Sequence, residues 1–181
     1  MYREESQLPT IFYEYIDKIQ NNLWFKFIRL LGMNDAEIQN ITRNNSGLTE
    51  WKYQTLERWK TLLGHQTDAE YRQILEKTCN EIQRHQQSDV NLPPHLQNGV
   101  EISRKIYHFI DKHNGEQWKR LVHVRFNLPP SDISLLEQTY AEDFLELKYQ
   151  TVLKYATFHG KTRSELPHYL EGIQPVMATD S

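Results

Sequence analysis

Trp24-Phe25-Lys26-Phe27-Ile28-Arg29-Leu30-Leu31-Gly32-Met33-Asn34-Asp35-Ala36-Glu37-Ile38 is the stretch on which the reading of this chain turns. Within it Trp24, Phe27, Ile28 and Leu31 recur three and four residues apart, the spacing of one face of an α-helix and not of a strand. The stripe stops at Gly32, where a C-cap is expected, and Asn34 offers an N-cap for a further helix containing Ile38 and Ile41. Two short amphipathic helices joined by a tight turn need partners to cover their apolar faces, and the flanks supply them.

Upstream, Ile11, Phe12, Tyr15, Ile16 and Ile19 form one apolar face after Leu8-Pro9, and Asn21-Asn22 offers an N-cap for the helix that begins at Leu23. Downstream, Asn44-Asn45-Ser46-Gly47 reads as a loop, and Thr49 begins a longer amphipathic helix carrying Trp51, Leu56, Trp59, Leu62 and Leu63. Gly64 closes it, and a fifth helix starts near Thr67-Asp68 and presents Tyr71, Ile74, Leu75, Cys79 and Ile82. The composition agrees: 38% of the 181 residues are hydrophobic and Gly and Pro number only seven each, which predicts an all-α folded protein.

From about Gln83 to Gln97 the chain turns rich in Gln, His, Asn and Pro, with Pro93-Pro94 inside, and reads as a linker. The earlier order of signals then returns. A helix bearing Val100, Ile102, Ile106, Phe109 and Ile110 ends at Asn114-Gly115; Trp118, Leu121 and Val122 follow; Pro129-Pro130-Ser131 leads to Ile133, Leu135 and Leu136. A longer helix carries Leu145, Leu147, Tyr149, Val152, Leu153 and Tyr155. Lys-Tyr-Gln-Thr occurs at 52–55 and again at 148–151, each time with an aromatic six residues after the tyrosine, Trp59 or Tyr155, and a glycine eleven after it, Gly64 or Gly160. Trp24 precedes Ile38 by 14 residues and Trp118 precedes Ile133 by 15. Agreement in spacing and helix order is the mark of a duplicated unit.

The stretch from Trp24 to Ile38 resembles the helix-two to helix-three signature of death domains, in which a Trp, an aliphatic pair, a Leu-Gly-aliphatic turn and an acidic-then-Ile start recur. Leu48 to Trp59, with Tyr53, Leu56 and Trp59, is similar to that family's helix four, most closely in death-receptor and adaptor members; Trp118 to Gly160 matches more loosely. The resemblance implies two tandem antiparallel helical bundles, death-domain-like, of five to six helices each. Residues 8–84 form the first copy, 85–98 a linker, 99–174 the second copy and 175–181 a flexible tail. Neither copy shows a clear sixth helix, and Pro167 falls where the fifth helix of the second copy runs, kinking it or fixing its first turn. The implied partners are death-domain-containing receptor or adaptor proteins, bound homotypically in apoptotic or inflammatory (NF-κB type) signalling.

No catalytic pattern accompanies this. His108 and His113 lie five apart, about 140° from sharing a helical face, and read as solvated side chains. No HExxH, phosphate loop or GxSxG is present, and Cys79 sits on an apolar stripe as a structural thiol. Trp24, Trp59 and Trp118 read as buried anchors, and Lys-Tyr-Gln-Thr as scaffold. The expectation is a non-enzyme with no metal, cofactor or small-molecule substrate. A lone cysteine, no apolar leader and no long apolar run predict a cytoplasmic protein that does not insert into membranes.

The formal charge is −3, with 11 basic against 13 acidic residues in 1–92 and 10 against 11 in 93–181, which speaks against nucleic acid as a partner. Charge is patterned within the second half. Residues 104–125 hold Arg104, Lys105, Lys112, Lys119, Arg120 and Arg125 against Asp111 and Glu116, whereas 131–146 hold Asp132, Glu137, Glu142, Asp143 and Glu146 with no basic residue. Opposite patches on one bundle allow head-to-tail self-association. In the first copy Lys26, Arg29, Asp35, Glu37, Glu50, Glu57 and Arg58 occupy the helix-two to helix-four faces by which the resembled family recruits partners. These, with Lys119, Arg120 and the five acidic residues, are the candidate interaction residues. The reading is an adaptor or an inhibitory decoy. Two other readings compete: a helical nucleic-acid-binding regulator, reading through the third helix of each copy, and a single Bcl-2-like helical domain binding partner helices.

Overall fold

The structure, a computed structural model, describes residues 5–84, 89–174 and 176. Every regular element among them is helical, and the chain divides into two compact units, residues 1–101 and 102–181.

In the first unit α1 (Leu8–Lys18) carries Pro9 in its first turn, where the missing N–H costs nothing, and buries Leu8, Ile11, Phe12, Tyr15 and Ile16. Asn21-Asn22 does not cap the next helix. It opens a 3₁₀ turn (Asn21–Leu23) that runs into α2 (Trp24–Leu30) with no side-chain cap, because the Asn21 amide oxygen accepts from Lys52 Nζ at 2.5 Å instead. α3 (Asp35–Asn44) is capped as expected, Asn34 accepting from the Glu37 N–H at 2.9 Å. α4 (Leu48–Leu63) ends at Gly64, whose φ of +92° favours glycine, and α5 (Asp68–Arg84) starts with a reciprocal box between Thr67 and Glu70. The core gathers Phe12, Trp24, Phe27, Ile28, Leu31, Leu56, Trp59, Leu75 and Cys79, all without solvent exposure.

The segment that reads as a linker is ordered differently. Residues 85–88 lie outside the described residues, but Pro94 is the first residue of α6 (Pro94–Asp111), and Leu92, Leu96 and Val100 are buried in the core of the first unit. Proline at the start of a helix fixes φ and sacrifices only an N–H that has no helical partner, so Pro93-Pro94 initiates rather than interrupts. The first turns of α6 therefore supply the sixth helical segment missing from the sequence reading. They pack tightly at Gly32: its φ is +101°, and a Cβ there would sit 2.8 Å from the Cβ of Leu96.

The second unit contains the rest of α6, α7 (Gly115–Leu121), α8 (Pro130–Thr139), α9 (Phe144–Phe158) and α10 (Leu166–Glu171). α7 continues into a π-helical turn, Val122–Phe126, ending at Asn127 with φ +51°. A π turn holds one residue more than an α turn, which accounts for the extra residue between Trp118 and Ile133. Pro167 lies in the first turn of α10. Ile106, Tyr107, Ile110, Leu121, Phe126, Tyr149, Val152 and Leu166 form the core. α8 departs from its periodicity: no residue of it is buried, and Leu135 is 64% exposed. The tail at 175–181 lies, apart from Val176, outside the described residues.

Candidate interaction surface

The two Lys-Tyr-Gln-Thr segments put the same side chains to the same use. Lys52 Nζ sits 5.0 Å from the centre of the Trp24 ring and Lys148 Nζ 5.6 Å from that of Trp118, both lysines being nearly inaccessible to solvent. Lys148 donates to the His113 carbonyl at 2.8 Å, as Lys52 does to Asn21. Burial pushes both ammonium groups below the usual lysine range, opposed by the charges of Asp17 and Asp111 respectively. Tyr53 stacks on Tyr13 at 5.0 Å and Tyr149 on Tyr107 at 5.1 Å. Gln54 donates to Glu50 and Gln150 to Glu146, each at 2.7 Å, while Thr55 and Thr151 bond to the carbonyls of Trp51 and Leu147. The Thr67–Glu70 box has a counterpart in Thr162 and Glu165. Two signals for this lay unread in the sequence, Ile-Asp-Lys at 16–18 and 110–112, and Thr-x-x-Glu at 67–70 and 162–165.

The charged candidates of the first unit fall into two groups. Arg29 is 1% exposed, its Nε 3.0 Å from Asp35 Oδ1, so this pair ties α2 to the start of α3 from inside and Arg29 offers nothing to a partner. Lys26 is half-buried. Glu37 and Arg58 instead meet at the surface between α3 and α4: Nε reaches Oε2 at 3.0 Å and Nη2 reaches Oε1 at 2.8 Å. This fork holds the Glu37 carboxyl below the usual carboxylate range, chiefly through the Arg58 hydrogen bonds. Glu57, 3.5 Å from Lys60, and Glu50, bonded to Gln54, continue the surface along α4. Beside the fork lies an open cleft of about 320 Å³ lined by Asn40, Asn44, Gln54, Arg58 and Thr61. The amides there are engaged with one another or with α4, Asn44 donating to Asn40 at 3.4 Å and Gln54 to Glu50 at 2.7 Å, so the cleft presents fixed charge beside ordered polar groups.

In the second unit Asp132 lies 3.9 Å from Lys154, a looser ion pair between α8 and α9. Lys119, Arg120, Glu137 and Glu142 are exposed. Two predicted acidic surface residues are engaged internally. Asp143 caps α9 by accepting from the Glu146 N–H at 3.0 Å, and Glu146 itself is 2% exposed.

Cys79 is fully buried, and burial pushes its thiol above the usual cysteine range. His113 is not solvated as its sequence suggests; it is buried, with Nδ1 2.9 Å from the Phe109 carbonyl, while His108 is exposed. Among the described residues no three of His, Cys, Asp and Glu are grouped as a metal site, and no helix is long and apolar enough to cross a membrane.

Residues 10–89 match the family model described as Death domain, a stretch that spans most of the first unit. None of the curated proteins and none of the solved structures compared with the chain matches it significantly.

Proposed function

We propose that this protein is a non-enzymatic adaptor or decoy made of two death-domain-like copies, which binds death-domain-containing receptor or adaptor proteins in apoptotic or inflammatory signalling. The observation that carries the proposal is the charged α3–α4 surface of the first unit, where Glu37, Arg58, Glu57 and Glu50 lie within the segment that matches the death domain model. Death domains are protein-interaction modules, and an ion-paired surface whose acidic and basic groups sit side by side favours partners with the same alternation. The duplicated reading is supported by the paired lysine, tyrosine, glutamine and threonine contacts of the two units. Two such units on one chain raise the local concentration of the second site once the first is engaged, which suits bridging, and equally suits capping an assembly as an inhibitor. The place of action we propose is the cytoplasm, where receptor tails and adaptors meet.

The test is retention of purified receptor and adaptor death domains on the immobilised full chain. At least one is retained, and an Arg58→Glu, Glu57→Lys double variant weakens its binding by about tenfold or more. Failure of every death domain to bind above background withdraws the proposal; retention of nucleic acid instead would favour a helical nucleic-acid regulator.

A further inference from the structure

One strip of the second unit gathers cations around an exposed aliphatic side chain. Along α7 and the π-helical turn that continues it, Trp118, Leu121, Val122 and Phe126 turn into the core, which leaves Lys119, Arg120, His123, Val124 and Arg125 exposed. Lys119 and His123 lie four residues apart, as do Arg120 and Val124, so these side chains follow one another along the outer face of the helix. No Asp or Glu occurs between Gln117 and Ser131, and among the described residues neither Lys119 nor Arg120 enters an ion pair. Carboxylates stand at the ends of the strip: Glu116 precedes it, one turn from Arg120, and Asp132 beyond it faces Lys154. The neighbouring cleft, lined by Gln117, Lys105, Lys112 and Glu171, is mixed in charge and is no part of the strip.

The chain as a whole carries −3, so its cations attract an anion only at short range, and an extended anionic surface gains more from such a strip than a single ion does. Val124, 47% exposed among the cations, decides which anionic surface fits. On a nucleic acid the phosphates would be met, but the exposed residues of the strip include no Phe, Tyr or Trp for a base to stack on, and Val124 would stay in water. An anionic lipid layer sets phosphates directly over an apolar boundary, where Lys and Arg meet headgroups while an aliphatic side chain lodges beneath them.

We infer that the outer face of α7 and its π-helical turn is a peripheral contact for an anionic membrane surface, with Lys119 and Arg120 against lipid phosphates, His123 and Arg125 flanking them and Val124 at the acyl boundary. No helix enters the hydrocarbon. A contact made by a few cations is weak and reversible, and it strengthens any attachment made elsewhere on the chain by raising the effective concentration at the membrane. The inference goes beyond the homotypic reading and uses nothing of the α3–α4 surface of the first unit.

The test is co-sedimentation of the full chain with vesicles of phosphatidylcholine alone and with vesicles containing about a third phosphatidylserine, at low and high salt. The wild type sediments with the anionic vesicles only, and high salt releases it. Lys119→Glu with Arg120→Glu weakens the partition by about tenfold or more, and Val124→Ser, which keeps every charge, weakens it by about threefold. The same change of charge at two exposed arginines of the first unit, Arg43→Glu with Arg84→Glu, leaves it within about twofold of the wild type. All four substituted positions of the two reversals and Val124 are exposed, and circular dichroism of each variant matches the wild type. A wild type that ignores the anionic vesicles overturns the inference, as does equal sedimentation with phosphatidylcholine, or a control reversal that weakens binding as much as the strip reversal. Retention of single-stranded or duplex DNA by a chain that ignores the vesicles overturns it in favour of nucleic acid. A chain that retains a death domain but no vesicle leaves the proposed function standing, whereas one that binds vesicles and retains no death domain removes that function alone.

Discussion

The first unit ties α3 to α4 with a two-pronged guanidinium–carboxylate fork at 2.8 and 3.0 Å, while between α8 and α9 of the second Asp132 and Lys154 lie a looser 3.9 Å apart. The contacts made by the two Lys-Tyr-Gln-Thr segments agree far better than these ion pairs do. Lysine over tryptophan, tyrosine on tyrosine, and glutamine and threonine each bonded one helical turn back recur in both. Contacts that hold a bundle together tolerate little change, since an unpaired buried ammonium or an orphaned hydroxyl is costly, whereas an exposed ion pair contributes little to stability and can drift. The difference therefore separates the packing contacts that recur in both units from the surface ion pairs that do not.

Breaking the tryptophan anchors gives the largest expected effect. Trp24 is fully buried and packs on Phe27 at 5.4 Å and Trp51 at 6.4 Å, while Trp118 is 4% exposed and meets Phe126 edge-on at 5.8 Å. Both Trp24→Ala and Trp118→Ala should cost roughly 3–5 kcal/mol, with Trp24 toward the upper end. Urea denaturation measures the losses; equal losses would mean that the second ring contact of Trp24, with Trp51, adds nothing.

The helix ends sharpen the comparison at lower cost. Gly64 and Gly160 have φ of +92° and +66° with nothing within 4 Å of an added Cβ, so alanine there should cost about 1–2 kcal/mol for left-handed backbone alone. Gly32→Ala adds the 2.8 Å collision with Leu96 and should cost more than either. Thermal melts of the three variants rank them, and a Gly32 variant no worse than the other two would mean that α6 is not packed tightly on this turn.

The buried lysines give a smaller, pH-dependent signature. Their folded values lie below their unfolded ones, so the unfolded chain holds more protons between the two, and stability rises with pH through that window toward the ordinary lysine value. Tyr155, pushed up to about 12 by burial, acts oppositely only at higher pH, where the unfolded phenol ionises first. Lys52→Met and Lys148→Met should each flatten the alkaline rise in denaturation midpoint; an unchanged slope in both would mean that neither ammonium is protonated at a cost in the fold.

Most of the first unit was legible from its periodicity because its apolar residues fall on clean helical stripes with recognisable ends at Asn34, Gly64 and Thr67. The linker was misread because Gln, His, Asn and Pro dominate its composition, although Leu92, Leu96 and Val100 recur at four-residue spacing, the signal of a buried helical edge. At α8 the reverse holds: Ile133, Leu135 and Leu136 have the composition of a core strip, but Ile133 is only partly buried against the core, Leu136 is half-buried and Leu135 is exposed. Charge lists were the least informative, since Arg29 and Glu146 look like surface residues in sequence and are buried, their partners being supplied by Asp35 and Gln150. Pairing is a property of the folded neighbourhood, which residue type alone does not encode.

Hydrogen exchange of the full chain with and without a bound death domain tests the central claim most directly. The account predicts added protection across α3 and α4 of the first unit, residues 35–63, lost with the Arg58→Glu, Glu57→Lys variant. Protection confined to other segments, or none at a concentration where the partner is bound, would contradict it.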